Sequence, residues 1–97
     1  MLPVPVLGEL LYGARRSSRP AENEAAVRSL SGTMQLQVCD EAVSHLYAEI
    51  KSFLAGDGFP IPENDVWIAA CAMAAQAVLV TRDNHFSRIA ALRCEQW

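Results

Sequence analysis

Val66 to Val80 is the longest apolar stretch of the chain, rich in alanine and interrupted by Gln76. It falls short of the roughly 18 residues that a membrane span requires, so a protein interior must cover it. Its two halves carry different signatures. Glu63 to Ala75 is apolar almost all round, the mark of a helix buried on most of its faces. Ala77 to Thr81 (AVLVT) is a short run of the kind found in parallel strands covered on both faces. A buried helix followed at once by such a strand points to an α/β fold.

The remaining segments fit that class. Met1 to Val6 (MLPVPV) is apolar, but Pro3 and Pro5 remove two ladder donors, which restricts it to a strand end or an edge strand. Val6, Leu7, Leu10, Leu11 and Ala14 recur at helical spacing and predict a first helix to about Arg15, stopped by Arg16-Ser17-Ser18-Arg19. Pro20 suits the first turn of a second helix, with Glu22 and Glu24 early, Val27 and Leu30 inward, and an end near Gly32. Met34 to Cys39 alternates as a strand does. Asp40 caps a long helix whose stripe is Val43, Leu46, Tyr47, Ile50 and Leu54, and which Gly56 and Gly58 end. After the turn Phe59-Pro60-Ile61-Pro62 come the buried helix and its strand, a short helix from Asn84 to Ile89, and a last edge strand from Leu92 to Trp97. With 97 residues, the chain reads as a single domain over 1–97.

Composition narrows the function classes. Net charge is −3 and the isoelectric point about 5.2, so no global positive field recruits nucleic acid, and any such contact uses a local patch. Arg15, Arg16 and Arg19 form that patch, either as a solvated helix end or as a contact for RNA phosphates, and Arg82 either pairs with an acid or reaches substrate. Cys39, Cys71 and Cys94 are odd in number, widely spaced and in no CxxC pattern, which argues against a disulfide framework and a zinc site. They read as small core or surface residues, not as nucleophiles. His45 and His85 read as structural and surface polar groups, and Trp67 as a packing residue. No signal peptide is legible, and a cytoplasmic location follows as the expectation.

The acids carry the functional signal. A helix from Asp65 to Gln76 climbs about 18 Å and the strand from Ala77 to Asp83 returns about 20 Å. Asp65 and Asp83 are therefore expected at one edge of the sheet, joined by Glu9 from the first turn of the first helix. That carboxyl edge is where open α/β sheets bind ligands. Singly, Asp65 could favour its helix N-terminus, Asp83 could cap the next helix and Glu9 could sit in solvent. Together, carboxylates about 4 Å apart repel by on the order of 4 kcal/mol at an effective dielectric of 20. Such a cluster calls for a cation or for bound protons, and oxygen ligands without a nearby cysteine favour Mg²⁺ or Mn²⁺.

Val6-Leu7-Gly8-Glu9-Leu10-Leu11-Tyr12-Gly13-Ala14, Pro62-Glu63-Asn64-Asp65-Val66-Trp67-Ile68-Ala69-Ala70 and Leu79-Val80-Thr81-Arg82-Asp83-Asn84-His85-Phe86 resemble, in order, the motifs of the PIN domain. The likeness is to the VapC-type ribonuclease toxins of prokaryotic toxin–antitoxin systems. It implies a Rossmann-like, three-layer fold of a parallel sheet flanked by helices. It also implies a Mg²⁺-dependent (or Mn²⁺-dependent) endoribonuclease with Glu9, Asp65 and Asp83 as catalytic, metal-holding acids and Thr81 in support. The implied partners are an RNA substrate, a VapB-like antitoxin and a second copy of the chain, with no membrane. The family begins with a central strand ending in an Asp, and nothing like it precedes Glu9 here. The expectation is thus an N-terminally truncated PIN domain, its nuclease impaired by that loss. The alternative is a non-catalytic remnant that dimerises or binds antitoxin.

Overall fold

Leu2 and Pro3 form the first strand, β1, and the chain turns at once into helix α1, Val4–Arg15. The computed structural model describes residues 1–58, 61–81, 84–89 and 91–95, in two compact units, Met1–Val38 and Cys39–Trp97. The first unit continues with α2, Pro20–Gly32, and β2, Leu36–Gln37. The second holds α3, Glu41–Asp57, α4, Glu63–Ala74, β3, Leu79–Val80, a 3₁₀ turn over Asn84–Arg88, and β4, Cys94–Glu95. Parallel strands separated by helices make the chain α/β, as the alternating patterns indicate.

In the first unit β1 lies parallel to β2, with Leu2 opposite Leu36 and Pro3 opposite Gln37. The Leu2 amide donates to the Gln35 carbonyl at 2.8 Å. The strand signal of MLPVPV is thus cut to two residues, and α1 starts at Val4 rather than Val6. Proline explains the difference. Pro5 falls in the first turn of α1, where its missing N–H has no helical acceptor to lose. Glu9 consequently occupies the second turn of α1, not the first, and it is exposed. α2 has the bounds expected of it, with Pro20 in its first turn, but none of its residues is buried. Val27 is half-buried and Leu30 is 53% exposed, so the inward placement of Leu30 does not hold. A unit of two helices and a two-stranded ladder has too little surface to cover a full apolar stripe. α1 and α2 pack on each other, and Arg15 on α1 reaches Glu24 on α2 at 3.2 Å.

The second unit is built on α3 packed against α4. Asp40 caps α3 as expected, its Oδ1 accepting from the Val43 amide at 3.1 Å. Val43, Ile50 and Leu54 form the buried stripe, while Leu46 and Tyr47 are half-buried at its flanks. α4 buries Val66, Ile68 and the small residues Ala69, Ala70, Cys71 and Ala72, which lie all round it, so that helix is buried on most sides. Gly58, in the left-handed region at φ 75°, ends α3, and Gly56 lies inside the helix. Phe59 and Pro60 of the turn that follows fall outside the described residues.

The end of α4 shows a device without its usual residue. The Gln76 amide donates to the Met73 carbonyl at 3.1 Å and the Ala77 amide to the Ala72 carbonyl at 2.9 Å. These are the paired bonds of a Schellman turn, and Gln76 takes the left-handed φ of 53° that glycine normally supplies. Arg93 holds the turn from outside, donating to the Gln76 carbonyl at 2.6 Å. Replacing Gln76 with glycine should raise stability by about 0.5–1 kcal/mol, the left-handed penalty less the extra chain entropy of glycine. Urea denaturation of the two proteins measures it, and a loss of stability would show that the glutamine side chain contributes more than its backbone costs.

β3 then pairs parallel with β4, Leu79 opposite Cys94 and Val80 opposite Glu95. Phe86, Ile89 and Leu92 of the crossover are buried. β2, β3 and β4 are each two residues long, shorter than Met34–Cys39, Ala77–Thr81 and Leu92–Trp97 suggest, and Gln96 and Trp97 lie outside the described residues. β3 also departs from the doubly covered strand expected of AVLVT. Leu79 is half-buried, but Val78 and Val80, on the opposite face by alternation, are 42% and 52% exposed.

Candidate active site

Asp65 stands in the first turn of α4, and local chemistry puts it there. Pro62 forms the N-cap with extended backbone, and its carbonyl accepts from the amides of Asp65 at 3.0 Å and Val66 at 3.3 Å. Glu63 and Asp65 supply negative charge where the helix dipole is positive. Two positions apart on a helix, their side chains leave the axis about 200° from each other, and this separates their roles. Glu63 is taken by α3: Lys51 Nζ donates to it at 2.7 Å, and the Tyr47 hydroxyl donates to its other oxygen. Lys51 also donates to the Tyr47 hydroxyl at 3.1 Å. The Tyr47 ring stacks on Trp67, centroids 3.9 Å apart and planes 12° from parallel. The first turn of α4 is thus fixed to α3 through Glu63 and Trp67, while Asp65, half-buried, is directed away from that network. Trp67 packs, as its sequence context suggests. Nothing in the sequence pattern pointed to the anchoring of Glu63, because its partners are twelve and sixteen positions upstream.

Thr81 follows β3 and is half-buried, its amide donating to the Glu95 carbonyl at 3.0 Å as the parallel ladder continues. Asp83 and Arg82 fall outside the described residues, as does the side chain of His85. Glu9 belongs to the first unit, and Asp65 and Thr81 to the second. Each takes part in an interaction within the chain. Among the described residues, no three His, Cys, Asp or Glu side chains gather closely enough to hold a metal ion. Carboxylate and hydroxyl oxygens such as those of Asp65 and Thr81 are of the kind that suit a hard divalent cation.

The basic residues are placed but not idle. Arg15 pairs with Glu24 at 3.2 Å, and Arg19 with Glu22 at 3.3 Å. Arg16 donates to the Tyr12 hydroxyl at 2.9 Å and lies over that ring. All three are exposed, and exposed pairs contribute about 0–1 kcal/mol, little enough to be exchanged for a phosphate contact. His45 lies on the outer flank of α3 against Glu41, 3.4 Å away, in keeping with a structural reading.

Comparison with known proteins adds what geometry alone does not. Residues 1–92 match the family model described as "PIN domain". Over 90 residues, 87% of this chain, it is 41% identical to the protein named "Ribonuclease VapC4" of Mycobacterium tuberculosis, covering 66% of that protein. Over 94 residues, 94% of the chain, it is 35% identical to "Ribonuclease VapC2" of Haemophilus influenzae, covering 70% of it. Among solved structures, the DNA-bound VapBC of Salmonella typhimurium superposes with a TM-score of 0.90 at 31% identity, over 98% of this chain and 73% of that one. The chain spans roughly two thirds of the length of the curated relatives it matches.

Proposed function

The chain belongs to the PIN-domain family, and on that footing we propose that it is a metal-dependent endoribonuclease of the VapC toxin type. The observation that carries this reading is the family match itself, which runs from residue 1 to 92 and takes in Glu9, Asp65, Thr81 and Asp83. PIN-domain ribonucleases of this type depend on a divalent cation. Mg²⁺ is the proposed ion here, with Mn²⁺ as its substitute, because the donors are oxygens. Glu9, Asp65 and Asp83 are assigned as the carboxylates that hold it, and Thr81 as a supporting hydroxyl. When bound, the ion supplies positive charge against the charge that develops at the scissile phosphate and acidifies water for the attack.

The chain's own residues do the positioning. The dipole of α4 favours the ionised form of Asp65 at its first turn. Glu63, held by Lys51 and Tyr47, keeps that turn against α3, so that Asp65 presents one orientation. Arg15, Arg16, Arg19 and Arg82 are proposed contacts for RNA phosphates. They would orient the strand without reading its sequence.

A VapB-like antitoxin is the proposed protein partner, supported by the VapBC complexes that the chain superposes on. A homodimer is proposed with it. The exposed Val4, Leu10 and Tyr12 of α1 support that reading. No described helix is long and apolar enough to cross a membrane, and we place the protein in the cytoplasm.

The test is cleavage of end-labelled RNA by the purified chain. Cleavage is expected with Mg²⁺, none in EDTA, and recovery on adding Mn²⁺. A second reading, favoured by the VapBC complexes that the chain superposes on, is a PIN domain that binds antitoxin without cutting RNA. Tight binding of a VapB-like antitoxin with no cleavage in either ion would select it.

A further inference from the structure

Two of the three cysteines, far apart in sequence, are close together in space. Cys39 and Cys71 are 32 positions apart, yet their sulfurs lie 3.9 Å from each other. Cys39 is exposed, in the segment between β2 and α3 and just before the capping Asp40, whereas Cys71 is fully buried in α4. Cys94 is a third thiol, exposed on β4. We propose that Cys39 and Cys71 form a modification site of their own, a dithiol that exchanges with low-molecular-weight disulfides to give a reversible intramolecular disulfide. This inference is independent of the nuclease reading.

Geometry carries it. A disulfide needs sulfurs about 2.05 Å apart, so the pair must close by about 1.9 Å. Cys71 sits in a packed helix and has little freedom. Cys39, exposed in the segment ahead of α3, is the freer of the two, and a change of its χ1 rotamer is the movement that the bond requires.

Exposure orders the chemistry. The Cys39 sulfur, as thiolate, attacks one sulfur of the small disulfide. That S–S bond breaks, a mixed disulfide forms on Cys39, and the first small thiolate leaves with the proton Cys39 gave up. Cys71 then loses its proton, and its sulfur attacks the Cys39 sulfur. The mixed disulfide breaks, and the second small thiolate leaves protonated. One small disulfide is reduced to two thiols while the protein pair is oxidised by two electrons, and both protons are accounted for. Burial, with Cys39 and Asp40 beside it, pushes the Cys71 thiol up to about 12. The second step is therefore the slow one, and the mixed disulfide on Cys39 precedes the internal bond. The bond, once formed, ties the segment before α3 to the middle of the helix that carries Asp65.

The experiment incubates the folded, reduced chain with oxidised glutathione, alkylates the remaining thiols and maps the peptides by mass spectrometry. Expected are a peptide joining Cys39 to Cys71, loss of both thiols, and at most a mixed disulfide on Cys94. In Cys71→Ser the glutathione adduct should persist on Cys39. In Cys39→Ser the Cys71 thiol should stay unmodified. A wild-type protein that keeps glutathione on Cys39 beside a free Cys71 would overturn the proposal, as would disulfides that join Cys94 or two chains instead.

Discussion

Replacing Asp65 with asparagine is expected to lower the rate of RNA cleavage by about 100-fold or more while helix content stays unchanged. Loss of a mere outer partner of a metal ligand costs about 10–100-fold, which sets the lower bound for losing a proposed ligand itself. The exchange conserves volume, and at the first turn of α4 the missing charge weakens the dipole interaction by only about 0.3–1 kcal/mol. The fold should therefore survive. Glu63→Gln provides the contrast, since Glu63 belongs to an exposed network with Lys51 and Tyr47. Its loss should shift stability slightly and, because it loosens the hold on Asp65 without removing a proposed ligand, lower cleavage far less than Asp65→Asn does. Melting curves add a second readout: Mn²⁺ should raise the melting temperature of the wild type and not that of Asp65→Asn, because only a chain that holds the ion gains from it. Cleavage by Asp65→Asn at the wild-type rate would remove the residue from the site.

The largest loss of stability is expected from Leu54→Ala. Leu54 is 3% exposed, on the stripe that α3 turns toward α4. Truncation there removes the transfer energy of the lost atoms and leaves a cavity, at a cost of about 3 kcal/mol in all. For a domain of this size that lowers the melting temperature by roughly 10–20 °C. Leu30→Ala, the same change at a position 53% exposed, should stay within about 0.5 kcal/mol. Thermal denaturation followed by circular dichroism compares the two. Equal losses would mean that Leu30 is covered after all.

That contrast shows where the sequence was legible. Pro20, Asp40 and Gly58 each set a boundary through local chemistry, and each boundary stands where that chemistry puts it. Pro5 misled because one residue suits two contexts: it breaks a ladder and it also begins a helix. Helical periodicity told that Leu30 shares a face with Val27, but it could not tell whether anything covers that face. Gln76 gave no sign of its left-handed turn, since the usual signal is glycine. At the candidate site, Asp65 was legible from its motif and its place at a helix start. The hold on Glu63 was not, because Tyr47, Lys51 and Trp67 are unremarkable singly and meet only when α3 packs on α4. The same holds for Cys39 and Cys71, joined by tertiary structure alone.

The uneven distribution of buried side chains has a dynamic consequence. Among the described residues, Met1–Val38 buries Leu2 and Ala14, whereas Cys39–Trp97 buries Val43, Ile50, Leu54 and nine more. Segments with few buried apolar contacts open at lower free energy than the core does, and they open as units. Thirty-eight residues are also close to the size below which a chain rarely sustains a fold unaided. The amides of α1 and α2 should therefore exchange with solvent deuterium through a shared, low-energy opening, while those of α4 wait for global unfolding. Glu9 rides on the labile side of that divide and Asp65 on the durable one, so the two acids report on different layers of the protein's stability.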